Sequence, residues 1–200
     1  GSDIGSLGTN DTYAAALDPT DGSIYTMANG LSGNAELAKV DFSTGSITTI
    51  GAGVGIDMIS LEIKNDGTMY GVGFTDQFLY EIDKTTGAIK GSPIGDTGIW
   101  HLMDLAFDST GTLYGTANDR FLWTIDTSTG ESEFYGYIDG VEDGYIMGIM
   151  FDPDDLLYAT AYAESSPLYT VDRTTCPMQA SIIGNTGLNF PHGGDFGCPS

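Results

Sequence analysis

The chain has 200 residues and a mass of 21.1 kDa, a size that suits one domain or a compact pair, and 40% of it is hydrophobic, enough for a real core. Six Lys and Arg against 28 Asp and Glu leave a formal net charge of −22, which argues against nucleic acid and anionic membranes as partners, because both require a basic surface. No run of ~18 apolar residues exists to cross a membrane as a helix.

The acidity has two readings. One is a heavily solvated surface suited to salty or extracellular water. The other is binding of a hard cation, because Ca²⁺ takes carboxylate and carbonyl oxygens. Gly is 29 of 200 without collagen periodicity, which implies many tight turns and many short strands. Gly1 and Ser2 look like a cloning scar and are set aside, leaving 3–200 as one domain.

Taken along the chain, two marker series show an internal repeat. Tyr25, Tyr70, Tyr114 and Tyr158 recur in SIYTM, TMYGV, TLYGT and LLYAT at steps of 45, 44 and 44. Asp41, Asp83, Asp126 and Asp172 recur in DFSTG, DKTTG, DTSTG and DRTTC at steps of 42, 43 and 46. The third unit shows the plan: strand MDLAF (103–107), turn DSTG, strand TLYGTA (112–117), strand FLWTID (121–126), turn TSTG, strand ESEFYGYI (131–138). Runs rich in Tyr, Ile, Leu and Thr bounded by Gly and Asp signal strands and hairpins. NAELAK (34–39) has helical propensity but falls where a third strand belongs.

The units are near 12–50, 57–95, 102–139 and 146–184, with edge strands at 4–8 and 192–198. Four antiparallel strands per unit of about 40–50 residues make a propeller blade, so the fold class is all-β, a β-propeller of four four-stranded antiparallel blades. The edge strands would close a small ring or be the cut edges of a larger propeller. Unpaired edges are a liability, which favours closure.

Both cysteines depart from the repeat. Cys176 stands where the other units have Gly45, Gly87 and Gly130, and Cys198 aligns with Phe107. A side chain in a left-handed turn costs about 1–2 kcal/mol. The two departures together suggest a Cys176–Cys198 disulfide and an oxidising compartment.

The two histidines are repeat equivalents, His101 and His192, each followed three residues later by an aspartate, Asp104 and Asp195. The other units carry Asp57 with Ser60 and Tyr145 with Gly148 at these places. Trp100 and Tyr145 lie in loops leading into inner strands, where a ring can stack on a sugar or peptide. Trp100, His101, Asp104, Tyr145, His192 and Asp195 are therefore the candidate ligand-binding residues. The turn aspartates Asp18, Asp66, Asp108, Asp152, Asp154 and Asp155 read as turn formers. No G-x-S-x-G or framed Cys/His pair points to a nucleophile.

The pattern apolar-apolar-F-D-x-x-G-T-L-Y-G … L-Y-x-I-D-x-x-T-G resembles the blades of NHL-, YVTN- and quinoprotein-like propellers over nearly the whole chain. The resemblance implies the fold and not the function, because propellers host binding, scaffolding and catalysis alike. The expectation is an extracellular or cell-surface binding or adhesion module. Its ligand is a carbohydrate or protein met at the loops leading into the inner strands, with calcium as the one cofactor the composition suggests. The alternative is a small hydrolase or lyase with a His/Asp site at the channel mouth.

Overall fold

A computed structural model of the protein describes residues 11–141, 144–163 and 166–186. The described residues form sixteen strands and no helix. The first unit holds β1 (Thr12–Leu17), β2 (Ile24–Ala28), β3 (Glu36–Asp41) and β4 (Ser46–Thr49). The second holds β5 (Glu62–Ile63), β6 (Met69–Val72), β7 (Phe78–Ile82) and β8 (Gly95–Asp96). β9 (Leu102–Phe107), β10 (Leu113–Ala117), β11 (Phe121–Ile125) and β12 (Ser132–Asp139) follow. The last four are β13 (Ile146–Phe151), β14 (Leu157–Ala161), β15 (Pro167–Asp172) and β16 (Met178–Asn185). NAELAK contributes to β3: tertiary pairing with β2 overrides its helical propensity.

One local device builds the turns. Oδ1 of Asp18, Asp41, Asp83, Asp108, Asp126 and Asp172 accepts both the N–H (2.7–3.0 Å) and the hydroxyl (2.6–2.7 Å) of the Ser or Thr two residues on. The carboxylate satisfies backbone that the hairpin leaves open. Gly45, Gly87 and Gly130 end their turns left-handed, at φ 71°, 68° and 78°. Cys176 is not left-handed, so the strain expected of its Cβ does not arise. Pro177 follows it, and a residue before proline is held in the extended region.

Pairing corrects one expectation. In place of four separate four-stranded sheets there are three, β1-β2-β3-β4, β5-β6-β7-β8 and an eight-stranded β13-β14-β15-β16-β12-β11-β10-β9. The fusion arises because β12 and β16 pair in parallel, Ile138 with Met178 and Asp139 with Gln179. β9 and β13, the two ends of that sheet, also contact each other, so it nearly closes on itself. The predicted edge strands 4–8 and 192–198 lie outside the described residues.

The core lies between successive units. Met27, Leu37, Leu61 and Ile82 pack units one and two together; Val72, Leu79, Leu105 and Leu113 pack two and three; Leu122, Ile138, Ile149 and Tyr169 pack three and four. A smaller cluster joins the inner strands. Tyr13, Ile59, Met103 and Met147 occupy one repeat position in all four units and pack together with Phe74.

Candidate functional site

The loop leading into β9 is anchored on both sides of Trp100. Before it, the N–H and hydroxyl of Thr97 donate to the Gln77 carbonyl (3.0 and 2.9 Å), and Ile99 is buried among the second and third units. After it, His101 adopts φ 51° and stacks on Phe74 at 4.7 Å and 15°. With both neighbours held, the indole is thrown outward. Trp100 is 65% exposed and sits edge-on to His101, centroids 6.0 Å apart.

The next unit presents Tyr145 from the equivalent place. The Tyr145 carbonyl accepts the Tyr162 N–H (2.9 Å), and Asp119 O accepts the Ile146 N–H (3.0 Å). Gly144, at φ 87°, leaves no room for a Cβ beside the Tyr162 carbonyl. Tyr145 is 54% exposed. Met103 and Met147, two residues beyond His101 and Tyr145, belong to the inner cluster. Sequence reasoning missed Asp119, whose carboxyl is pushed up by burial although it accepts the Phe121 N–H.

Asp104 takes another direction. It is buried, and its Oδ2 accepts the Ile149 N–H at 2.8 Å, tying β9 to β13. Trp100 and His101 are thus brought together and Tyr145 shares their end of the inner strands, while Asp104 turns into the strand interface. His192 and Asp195 lie outside the described residues, as does Cys198.

At the other end of the inner strands a cavity of about 320 Å³ is lined by all four units, through Leu17, Glu62, Phe107 and Phe151 among others. Glu62 is buried there where the other units have Ala16, Ala106 and Met150. Asp152, also on the lining, accepts the N–H groups of Asp154 and Leu156 at its Oδ1. Among the described residues no group of three or more His, Cys, Asp or Glu side chains is placed to hold a metal ion.

Repeated antiparallel units with their cores between units and an apolar plug between inner strands define a propeller-type repeat protein. Residues 2–151, three quarters of the chain, match the family described as Repeat of unknown function (DUF6923), and the chain belongs to that family. No curated protein matches its sequence. Among solved structures it is similar to virginiamycin B lyase from Staphylococcus aureus (TM-score 0.60, 16% identity, 94% of this chain and 61% of that one). It is also similar to a chain of the nidogen/laminin complex (0.65, 15%, 92% and 68%) and to a gluconolactonase from Xanthomonas campestris (0.65, 10%, 94% and 67%). These likenesses show the propeller-type fold alone. The chain spans about half to two thirds of the length of the solved structures it matches.

Proposed function

We propose that this chain is an extracellular or cell-surface binding or adhesion module that meets a carbohydrate or protein ligand at the loops leading into its inner strands. The observation that carries the reading is Trp100, held 65% exposed by anchors on both sides at a position where the repeat itself requires no aromatic ring. A large apolar side chain fixed in water, with His101 and Phe74 stacked beside it, is preorganised for contact. Variation among units on a rigid frame is where recognition sits. A hydrolase or lyase built on His101 and Asp104 is less favoured, because Asp104 is already bonded to the Ile149 N–H.

The solved structures that the four units overlay are longer than this chain, which favours an arc of blades in a larger ring over a closed four-bladed one. The ligand is tested by probing the protein against immobilised glycans and peptides, then against the double variant Trp100→Ala, Tyr145→Ala. Binding at least about tenfold weaker, with Tm unchanged, is expected. Unchanged binding would move the site elsewhere.

A further inference from the structure

The third unit carries a second exposed aromatic surface, away from the inner strands. Phe121 and Trp123 on β11 and Phe134 and Tyr137 on β12 form one set of edge-to-face rings. Phe121 lies 5.6 Å from Phe134, 5.8 Å from Tyr137 and 6.5 Å from Trp123, and Trp123 lies 5.4 Å from Phe134. Phe121, Phe134 and Tyr137 are 39%, 52% and 37% exposed. A β-bulge between Leu122 and Trp123 brings these residues to one face, pairing Phe121 with Tyr137 and Trp123 with Phe134.

Hairpin mechanics do not account for these rings. At the place of Phe134, opposite the equivalent of Trp123, the other units have Thr49, Gly91 and Ile182, none of them an aromatic ring. At the place of Phe121 they have Glu36, Phe78 and Pro167. The surface is uncovered because its neighbour is short. Trp123 packs toward the core shared with the second unit, and Ser132 Oγ donates to the Thr97 carbonyl at 2.6 Å, so this face looks toward β8. β8 is only two residues long, and three of the four rings stay 37–52% exposed.

We propose that this ring surface is a binding platform for a neutral oligosaccharide. Three observations choose that occupant. The exposed ring area is on the order of 300 Å², far below the ~800 Å² per partner of a stable protein interface. A net charge of −22 sets two copies of the chain against each other. The rings themselves carry no charge, and Glu133, which pairs with Thr124 one step from the Trp123–Phe134 pair, projects from the opposite face. Sugar C–H faces suit such a surface, and this site is independent of the one at Trp100.

The chain has two tryptophans, so Trp100→Phe leaves Trp123 as the sole indole reporter. This variant is titrated with hexasaccharides of cellulose, chitin, xylan and mannan while Trp123 emission is followed. A saturable emission change with at least one of them is expected, weakened about tenfold by adding Phe134→Ala or Tyr137→Ala with Tm unchanged. Because the reporter lacks Trp100, failure of the first site does not affect the result. No change with any of the four sugars at millimolar concentration overturns the proposal, as does affinity unaltered in both ring variants. A dimer in sedimentation that Phe134→Ala dissolves, or a response to oligolysine and to none of the sugars, also overturns it.

Discussion

Lys84, in the turn after β7, forms an ion pair with Asp18 of the first unit, whose side chain is only 2% exposed. Burial alone would raise the Asp18 carboxyl; bonds from Lys84 and Thr20 override it and hold the group below its usual value. Removing the cation leaves a buried charge whose remaining bonds, among the described residues, come from its own turn. Lys84→Met should therefore destabilise by about 3 kcal/mol, the low end for a broken buried pair, since Lys84 is itself 24% exposed. Urea unfolding measures this. The folded-state pKa of Asp18 should rise in the variant, so its stability should begin to fall at a higher pH on acidification than in the parent.

Glycine contrast tests how the units approach one another. Gly22 and Gly87 are both left-handed, at φ 74° and 68°. A Cβ on Gly22 meets open space, whereas one on Gly87 runs into the Ile50 carbonyl of the preceding unit. Gly51 faces Thr86 across the same junction, and Gly95 faces Thr129 across the next. Gly22→Ala should cost about 1–2 kcal/mol, the conformational cost alone. Gly87→Ala should cost clearly more, because backbone must shift. Equal losses in denaturant melts would show that the junction is not this close.

The strands were legible because each marker acts locally: Asp binds the residue two places on, and Gly closes the turn. What was not legible is set by contacts far apart in the chain. The β12–β16 pairing joins residues some forty positions apart, and no periodicity announces it. Asp104 looks like a binding residue in its H-x-x-D segment, but its partner is a backbone N–H of the next unit. Asp155 is a turn former that also accepts the Ser109 N–H (2.7 Å) and hydroxyl (2.5 Å), locking units three and four. Phe121, Phe134 and Tyr137 look like strand packing until the short β8 is seen to leave them bare. Trp100 was legible as a loop residue; its fixed outward posture depends on Gln77 and Phe74 of another unit.

Acid should destabilise the fold. Asp41, Asp83, Asp126 and Asp172 are held below the usual carboxylate range, first by the hydroxyl bond from the residue two places on and then by its N–H. A depressed carboxyl contributes stability that is complete above its unfolded pKa of ~3.9 and is lost as pH falls through its folded value. Tm at fixed ionic strength should therefore decline steadily below about pH 4, even as the net negative charge falls. A rise in Tm over that range would mean that charge repulsion outweighs the turns.

Cys176 is exposed in the described structure, at a place where a thiol has no packing role. A bond to Cys198 would close a 22-residue loop and add about 3.4 kcal/mol by the chain-entropy relation. Intact mass of unreduced protein after alkylation should show no added label, and reduction should lower Tm. Two alkylated thiols without reductant would refute the bond.

Salt should stabilise the protein, and the choice of cation should not matter. Twenty-eight acids against six bases make self-repulsion a standing cost to the compact state, one that is screened over ~10 Å at 0.1 M salt. A specific calcium site would need several carboxylates facing one point. The turn aspartates instead direct Oδ1 into their own hairpins, each accepting an N–H and a hydroxyl. Each turn uses one oxygen of its carboxylate in this way, and the turns are spread among separate units. Tm should thus rise by the same amount in NaCl and in CaCl₂ at matched ionic strength. A ligand that binds only the folded state adds RT ln(1 + [L]/Kd), about 2.7 kcal/mol at a hundredfold excess over Kd. An extra rise of several degrees in millimolar CaCl₂, abolished by a chelator, would establish a calcium site and assign the acidity to cation binding instead of a solvated surface.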